Sequence, residues 1–161
     1  ACAAISALTV SAIDASRFTF QGFLPRDKTR SERISEVVRS ELTSVLYESP
    51  HHLSRTLSEL AQLIPNRSIS VCKELTKLHE SVWRGNISDA AAHFSEGAQG
   101  EYVLVIAGAE SADADELTDE AILNLLRNCI KRGMSRKDAV KDVTARTGEP
   151  RNRIYSLSSK L

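Results

Sequence analysis

The chain has 161 residues, 42% of them apolar and 26% charged, which is ordinary for a globular protein and enough for one large domain or a domain with a small appendage. Lysine plus arginine and aspartate plus glutamate balance at 21 each, so net charge names no partner and only its distribution can. The three cysteines, Cys2, Cys72 and Cys129, are far apart and odd in number. They form no C-x-x-C pair and no spacing that suits zinc, which argues against a disulfide framework and a metal cluster. A reduced, cytoplasm-like compartment is expected, with each thiol a small buried apolar group.

The chain opens on "ACAAISALTVSAI", without a basic segment or start residue, as a chain cut from something longer would. This is not the pattern of a signal peptide, and the longest later apolar run, "YVLVIAGA", is too short to span a bilayer. Residues 2–13 read as a helix with Ala4, Leu8 and Ser11 on one side. "RFTFQGF" (17–23) is aromatic and β-branched and reads as a strand, broken by "LPRDKTR". Residues 29–41 form a helix with Ile34, Val37, Val38 and Leu42 at helical spacing. A short strand "SVLYE" (44–48) is followed by helix 51–63, ended by Pro65 and Asn66. "SISVC" (68–72) is another strand, and 87–95 a short helix. "EYVLVIAG" (101–108) scarcely alternates, so it is expected to be central and buried on both faces.

Strands alternating with helices imply an α/β layered domain over 1–108. The segment 109–118, "AESADADELT", is small and acidic and reads as a linker into an acidic first helical turn. Beyond it the period is helical to the end. The first helix has Ile122, Leu125, Leu126 and Ile130 on one face, and Gly133 suits the left-handed position after it. Ser135 with Asp138 forms a capping box for helix 136–146. "TGEP" turns the chain into a last helix, with Pro150 as its first residue and Ile154, Leu157 and Leu161 inward. Three short helices with a tight turn before the last predict a helix-turn-helix-like module over 119–161.

From 118 to 161 ten basic residues face five acidic ones. The excess fits either a phosphate-facing surface or the solvated face of a small cap. Arg136 and Lys137, and Arg151 and Arg153 at the start of the last helix, stand where such modules touch nucleic acid. Arg26, Lys28, Arg30 and Arg33 form a second basic cluster in a turn and first helical turn, where cations oppose the helix dipole. A polyanion partner would account for that, as would a flexible basic loop.

The stretch "SVCKELTKLHESVWRGN" (70–86) crowds polar groups behind an apolar run. As a helix it would place Leu75, Leu78 and Val82 on one face. As the end of a strand it would present Glu74, Thr76 and Lys77 at a sheet edge, opposite Tyr47, Glu48 and His51 if the two strands are neighbours. Ligands of α/β sheets bind at such edges.

"GFLPRDKTR", "LYESPHHLSRTLSEL", "VCKELTKLHESVWRGN" and "GEYVLVIAG", in that order, resemble the ribosomal RNA small subunit methyltransferase I family. These are 2′-O-methyltransferases with the tetrapyrrole methylase fold, and the resemblance runs through nearly the whole chain. "ACAAISAL" is similar to the segment that opens their second lobe, and the tail to their helical extension. The resemblance implies an α/β fold, the second lobe of the methylase, with a mixed sheet flanked by helices. It implies S-adenosylmethionine as cofactor and a cytidine ribose in the decoding region of 16S rRNA as target. It implies homodimers in the cytoplasm, or in an organelle of bacterial descent, acting on the small ribosomal subunit without metal or membrane.

Carried over by motif, the cofactor residues would be Cys2, Ala3, Tyr47, Glu48, Leu75, Thr76, Glu101 and Tyr102. Glu74 and Lys77 would orient the substrate ribose or the methionine carboxylate. The first lobe, with its glycine-rich loop, is not in this sequence, so the chain is expected to be a C-terminal portion that does not complete a cofactor pocket. Two other readings stay open: a non-catalytic RNA-binding module, and a methylase of the same fold acting on a tetrapyrrole.

Overall fold

The computed structural model describes residues 2–96, 98–109 and 117–161. Its elements are α1 (Ala3–Val10), β1 (Phe18–Phe23), α2 (Arg30–Arg39), β2 (Thr43–Glu48), α3 (Pro50–Ala61), β3 (Ser68–Lys73), β4 (Ser81–Asn86), α4 (Ile87–His93), β5 (Tyr102–Ile106), α5 (Asp119–Lys131), α6 (Arg136–Thr147) and α7 (Arg151–Ser158). The five strands form one mixed sheet in the order β1-β2-β5-β3-β4. β1 is parallel to β2, while β5 runs antiparallel to both of its neighbours, β2 and β3. The carboxyl ends of β1, β2 and β3 therefore share one edge with the start of β5.

The central position of β5 follows from its sequence. All five of its residues are buried, because alternate side chains fill two different layers. Tyr102, Leu104 and Ile106 join Leu46, Ile69 and Val71 under α2, α3 and α4. Val103 and Val105 join Val45 and Cys72 on the opposite face, against Ala4, Ala7 and Leu8 of α1. A strand covered on both sides needs no polar alternation.

The helical reading of 70–86 is overturned. Residues 81–86 are a strand, paired antiparallel with β3 from Ser68↔Asn86 to Lys73↔Ser81. Leu78, expected on a helical face, lies in the connection and is 93% exposed. The reason is the backbone of β3. One edge of it pairs with β5, and its other N–H and C=O groups need a ladder too. β4 supplies it as a polar edge strand, which is why "SVWRGN" does not look like one.

The C-terminal helices start and stop as their local chemistry dictates. Thr118 caps α5 by accepting from Ala121 N, and Ser135 caps α6 by accepting from Asp138 N. Gly133 has a positive φ of 84°. Pro150 is the cap of α7 and Arg151 its first residue, one position later than expected. Ile122, Leu125, Leu126 and Cys129 form the buried stripe of α5, so Cys129 takes the place expected for Ile130, which is 39% exposed. Leu161 likewise stays at the surface, because α7 ends at Ser158 before the chain returns to the core. Of the linker expected over 109–118, residues 110–116 lie outside the described residues.

The helical segment shares its core with the sheet layer. Ile122, Leu126, Val140, Val143, Ile154 and Leu157 belong to the same buried cluster as Ile34, Val37, Leu57 and Leu104. The junction is the packing of α6 on α2. Cys72 and Cys129 are buried free thiols, whereas Cys2 is exposed, against the expectation for all three. It precedes α1 instead of lying within its buried stripe.

Candidate functional site

At the shared strand edge, Glu48 and Lys73 each pair with Tyr102, so the start of β5 separates the ends of β2 and β3. The condition for the two polar loops to face each other, that their strands be neighbours, is not met: they flank a third segment. A cleft of about 530 Å³ opens there, lined by Ala3, Tyr47, Glu48, Glu101 and Tyr102 together with Phe23, Ser49, Pro50 and Val103. Five of the eight residues expected at the cofactor are thus brought together from the start of α1, the end of β2 and the start of β5. Leu75, like Tyr47, packs against the α1-side cluster. Thr76 is exposed on the β3–β4 connection, and Cys2 stands exposed at the cap of α1. Backbone N–H groups of Ile5 and then Ala4 hold the Cys2 thiol below its usual range, aided by a bond with Tyr47.

One wall of the cleft is aromatic. Tyr47 meets Phe20 and Phe23 edge-on, with ring centroids 5.1 and 5.6 Å apart. A register shift between Phe20 and Gly22 brings Phe20 opposite Val45 and Phe23 opposite Tyr47, so both rings emerge on one face. Phe23 escaped the sequence reading, and its only signal was a glycine one residue before a terminal aromatic.

Glu48 is turned inward. Its Oε2 accepts from Ser49 N at 2.9 Å and its Oε1 from the Thr56 hydroxyl at 2.5 Å. Thr56 in turn accepts from Arg30 Nη2 at 2.8 Å, and Arg30 Nε donates to Glu59 Oε2 at 2.8 Å. This buried chain fixes the end of β2 and the first turns of α3, and with them the floor of the cleft.

Glu74 and Lys77 lie together in the β3–β4 connection. Glu74 Oε1 accepts from Glu101 N at 2.8 Å and from Lys77 Nζ at 3.1 Å, and Lys77 Nζ also donates to Glu101 Oε2 at 2.9 Å. The backbone repeats the link, with Glu74 N donating to Glu101 O at 2.9 Å. Glu74 and Thr76 both have left-handed backbone, at φ 50° and 66°, unusual for residues other than glycine. The Glu101 N–H, then Lys77, hold the Glu74 carboxyl below its ordinary value, and the bonds to Glu101 and Glu74 raise Lys77. Both groups are charged at neutral pH. The arrangement suits charge complementarity and positioning, and it opposes proton abstraction by Lys77.

The expected RNA-facing residues divide. Arg26, Lys28, Arg136, Lys137 and Arg151 are exposed. Arg33 is exposed and paired with Glu36 at 2.7 Å. Arg30 is a correction: it is buried, with its guanidinium bonded to Glu59, Thr56 and Pro25 O, so it is no part of an exposed RNA-facing cluster. Arg153 is half-buried and ties the start of α7 to Asp119, Glu149 and Leu117 O at 2.9, 2.7 and 2.7 Å. Those two carboxylates raise its pKa. His51 and His79 are exposed. Among the described residues no cluster of three or more His, Cys, Asp or Glu is placed to hold a metal, and no helix is long and apolar enough to cross a membrane.

Residues 1–91, more than half of the chain, match the family of tetrapyrrole (corrin/porphyrin) methylases. The chain belongs to this family. Its α/β sheet flanked by helices is a tetrapyrrole methylase domain. Among its relatives, the ribosomal RNA small subunit methyltransferase I of Synechocystis sp. is 38% identical over 164 residues, covering 100% of this chain and 59% of that protein. The protein of the same name from Halalkalibacterium halodurans is 34% identical, covering 96% and 55%. The chain thus spans little more than half the length of these relatives. The methyltransferase CobJ, a solved structure, matches with TM-score 0.49 and 18% identity over 67% of this chain and 48% of its own. The methylase match ends within α4, whereas the two relatives also cover β5 and the C-terminal helices.

Proposed function

We propose that this chain is the C-terminal, cofactor- and RNA-binding part of an S-adenosylmethionine-dependent methyltransferase that modifies a cytidine ribose 2′-hydroxyl in the decoding region of 16S rRNA. The observation that carries the reading is the cleft that gathers Ala3, Tyr47, Glu48, Glu101 and Tyr102 at one sheet edge. Its volume and its mainly apolar wall with a few convergent polar groups fit a small organic molecule. When bound, S-adenosylmethionine supplies a methyl group on a sulfonium, with a good neutral leaving group.

In this reading Tyr47 and Phe23 offer a ring surface to the adenine, and the start of β5 offers backbone groups. The Glu74–Lys77–Glu101 cluster presents fixed charges beside the cleft. Lys77 would attract the methionine carboxylate or the ribose oxygen, and Glu74 would hold Lys77 in place. Alignment of the two reactants is the main contribution asked of the protein, worth up to about 7–11 kcal/mol in favourable cases. The opposite wall of the cleft is assigned to the part of the relatives that this chain does not span. Arg26, Lys28, Arg33, Arg136, Lys137 and Arg151 supply the exposed charge for the small-subunit RNA, and the enzyme works as a homodimer in the cytoplasm.

Calorimetric titration of S-adenosylmethionine into this chain, alone and extended upstream in its reading frame, tests the reading. Binding is expected only in the extended form, with methyl transfer to small-subunit rRNA appearing as one alkali-resistant linkage. Transfer to a corrinoid precursor in place of rRNA, or no binding by either form, would overturn it.

A further inference from the structure

A second polar cavity, of about 120 Å³, lies where the sheet layer meets the C-terminal helices. That is the space of about four waters, enough for one phosphate group and too little for a nucleoside. Five cations line it: Lys28 from the turn before α2, Arg30 of α2, Arg55 of α3, Arg132 after α5 and Arg146 of α6. Arg132 and Arg146 come from a part of the chain about a hundred residues beyond Lys28, brought there by the packing of α6 on α2.

Three carboxylates share the lining, and each is already engaged. Glu59 takes Arg30 at 2.8 Å and Arg55 at 2.9 Å. Asp142 takes Arg146 at 2.5 Å. Asp27 accepts from Thr29 N and its hydroxyl at 2.9 and 2.7 Å. Lys28 and Arg132 are exposed and make no ion pair among the described residues. The lining thus carries two more cations than anions, five against three. The buried guanidinium groups of Arg30 and Arg146 are held in place by Glu59 and Asp142, and the half-exposed Arg55 is tied to Glu59 as well. Arg132 also follows the last turn of α5, whose carbonyl end favours a cation there. A rigid, cation-lined notch with two unmatched charges at its mouth is a site for a tetrahedral oxyanion.

We propose that this seam is a phosphate-binding site, and that a backbone phosphate of the RNA substrate seats in it between Lys28 and Arg132, with Arg55 beside them and Arg146 behind. The RNA source rests on the proposed function, whereas the anion site stands on the geometry alone. A phosphate held here would fix the RNA against both the sheet layer and the C-terminal helices at once, and so set the register of the target nucleotide relative to the cleft.

The test is RNA binding by this chain over a salt series, using a small-subunit rRNA fragment that contains the decoding region. Lys28→Ala and Arg132→Ala are compared with Lys160→Ala, which removes an exposed cation elsewhere. The seam variants should bind roughly tenfold more weakly, and each should flatten the salt slope by about one. Arg132→Lys should restore most of the slope. Thermal midpoints should stay at the wild-type value, since neither side chain supports the core. Wild-type slope in both alanine variants would overturn the seam and leave the RNA function intact. A parallel titration with inorganic phosphate, followed by the backbone amide signals of Lys28 and Arg132, separates the sources. Saturable phosphate binding by a chain that binds no RNA would overturn the RNA assignment and the function it rests on, leaving an anion site. Neither ligand perturbing those amides would overturn the site itself.

Discussion

Gly100 has a φ of +89°, and a methyl group added to it would come within 2.7 Å of Glu74 Cγ and 2.9 Å of its Oε1. The glycine is the ground on which the Glu74–Glu101–Lys77 cluster rests, because the carboxylate reaches Glu101 N by crossing the space where a side chain would stand. Gly100→Ala is expected to lose about 1–2 kcal/mol from the left-handed backbone alone and to push Glu74 off Glu101 N. Urea unfolding should show the loss, and S-adenosylmethionine affinity of the extended form should fall with it. A variant with wild-type stability and affinity would show that the cluster neither needs this glycine nor serves the cleft. Glycine before a strand was visible in the sequence, but its partner lies 26 residues away, so nothing local announced the purpose.

At the scale of elements, the buried chain Glu48–Thr56–Arg30–Glu59 binds the end of β2 to α2 and α3. Removing one member of such a set strands the others away from water. Arg30→Ala is expected to cost about 3 kcal/mol, the low end for a broken buried pair, because Arg55 remains on Glu59. Arg26→Ala, an exposed neighbour in the same cluster, should change stability by less than about 0.5 kcal/mol. Equal small effects at both sites would mean that Arg30 is a surface cation after all. The contrast also marks what the sequence could show. Helices and strands were legible wherever a period of 3.6 or a run of β-branched residues met a glycine or proline. β4 was not, because an edge strand with one wet face carries the polarity of a loop. Arg30 read as one of four basic residues within eight positions, since the carboxylate that buries it is 29 positions away. The cleft was legible only through resemblance: Tyr47 and Tyr102 converge through a strand order that puts β5 between β2 and β3, and no spacing in the chain encodes that order.

For the whole molecule the question is whether the C-terminal helices are a separate folding unit. Their apolar stripes form one buried cluster with α2, α3 and the inner face of the sheet. At the meeting point, Arg39 at the end of α2 lies against Gly148, which terminates α6 with a φ of 71°. Burial shared across a junction makes the two parts unfold together, because neither can open without exposing the other's apolar surface. Trp83, the chain's single tryptophan, sits in β4 at the far edge of the sheet order, stacked on His93 of α4, and reports on that part of the sheet layer. Leu126 of α5 is fully buried. Leu126→Ala should remove about 2–5 kcal/mol from the helical part, and in a coupled molecule the same loss must appear in the tryptophan fluorescence transition. That transition should stay single and coincide with the helical signal in circular dichroism. If the fluorescence midpoint stays at its wild-type position while the helical signal melts earlier, the helices are an independent module. The seam with its four arginines would then be a contact between two bodies, and a phosphate could bridge it only when they are docked.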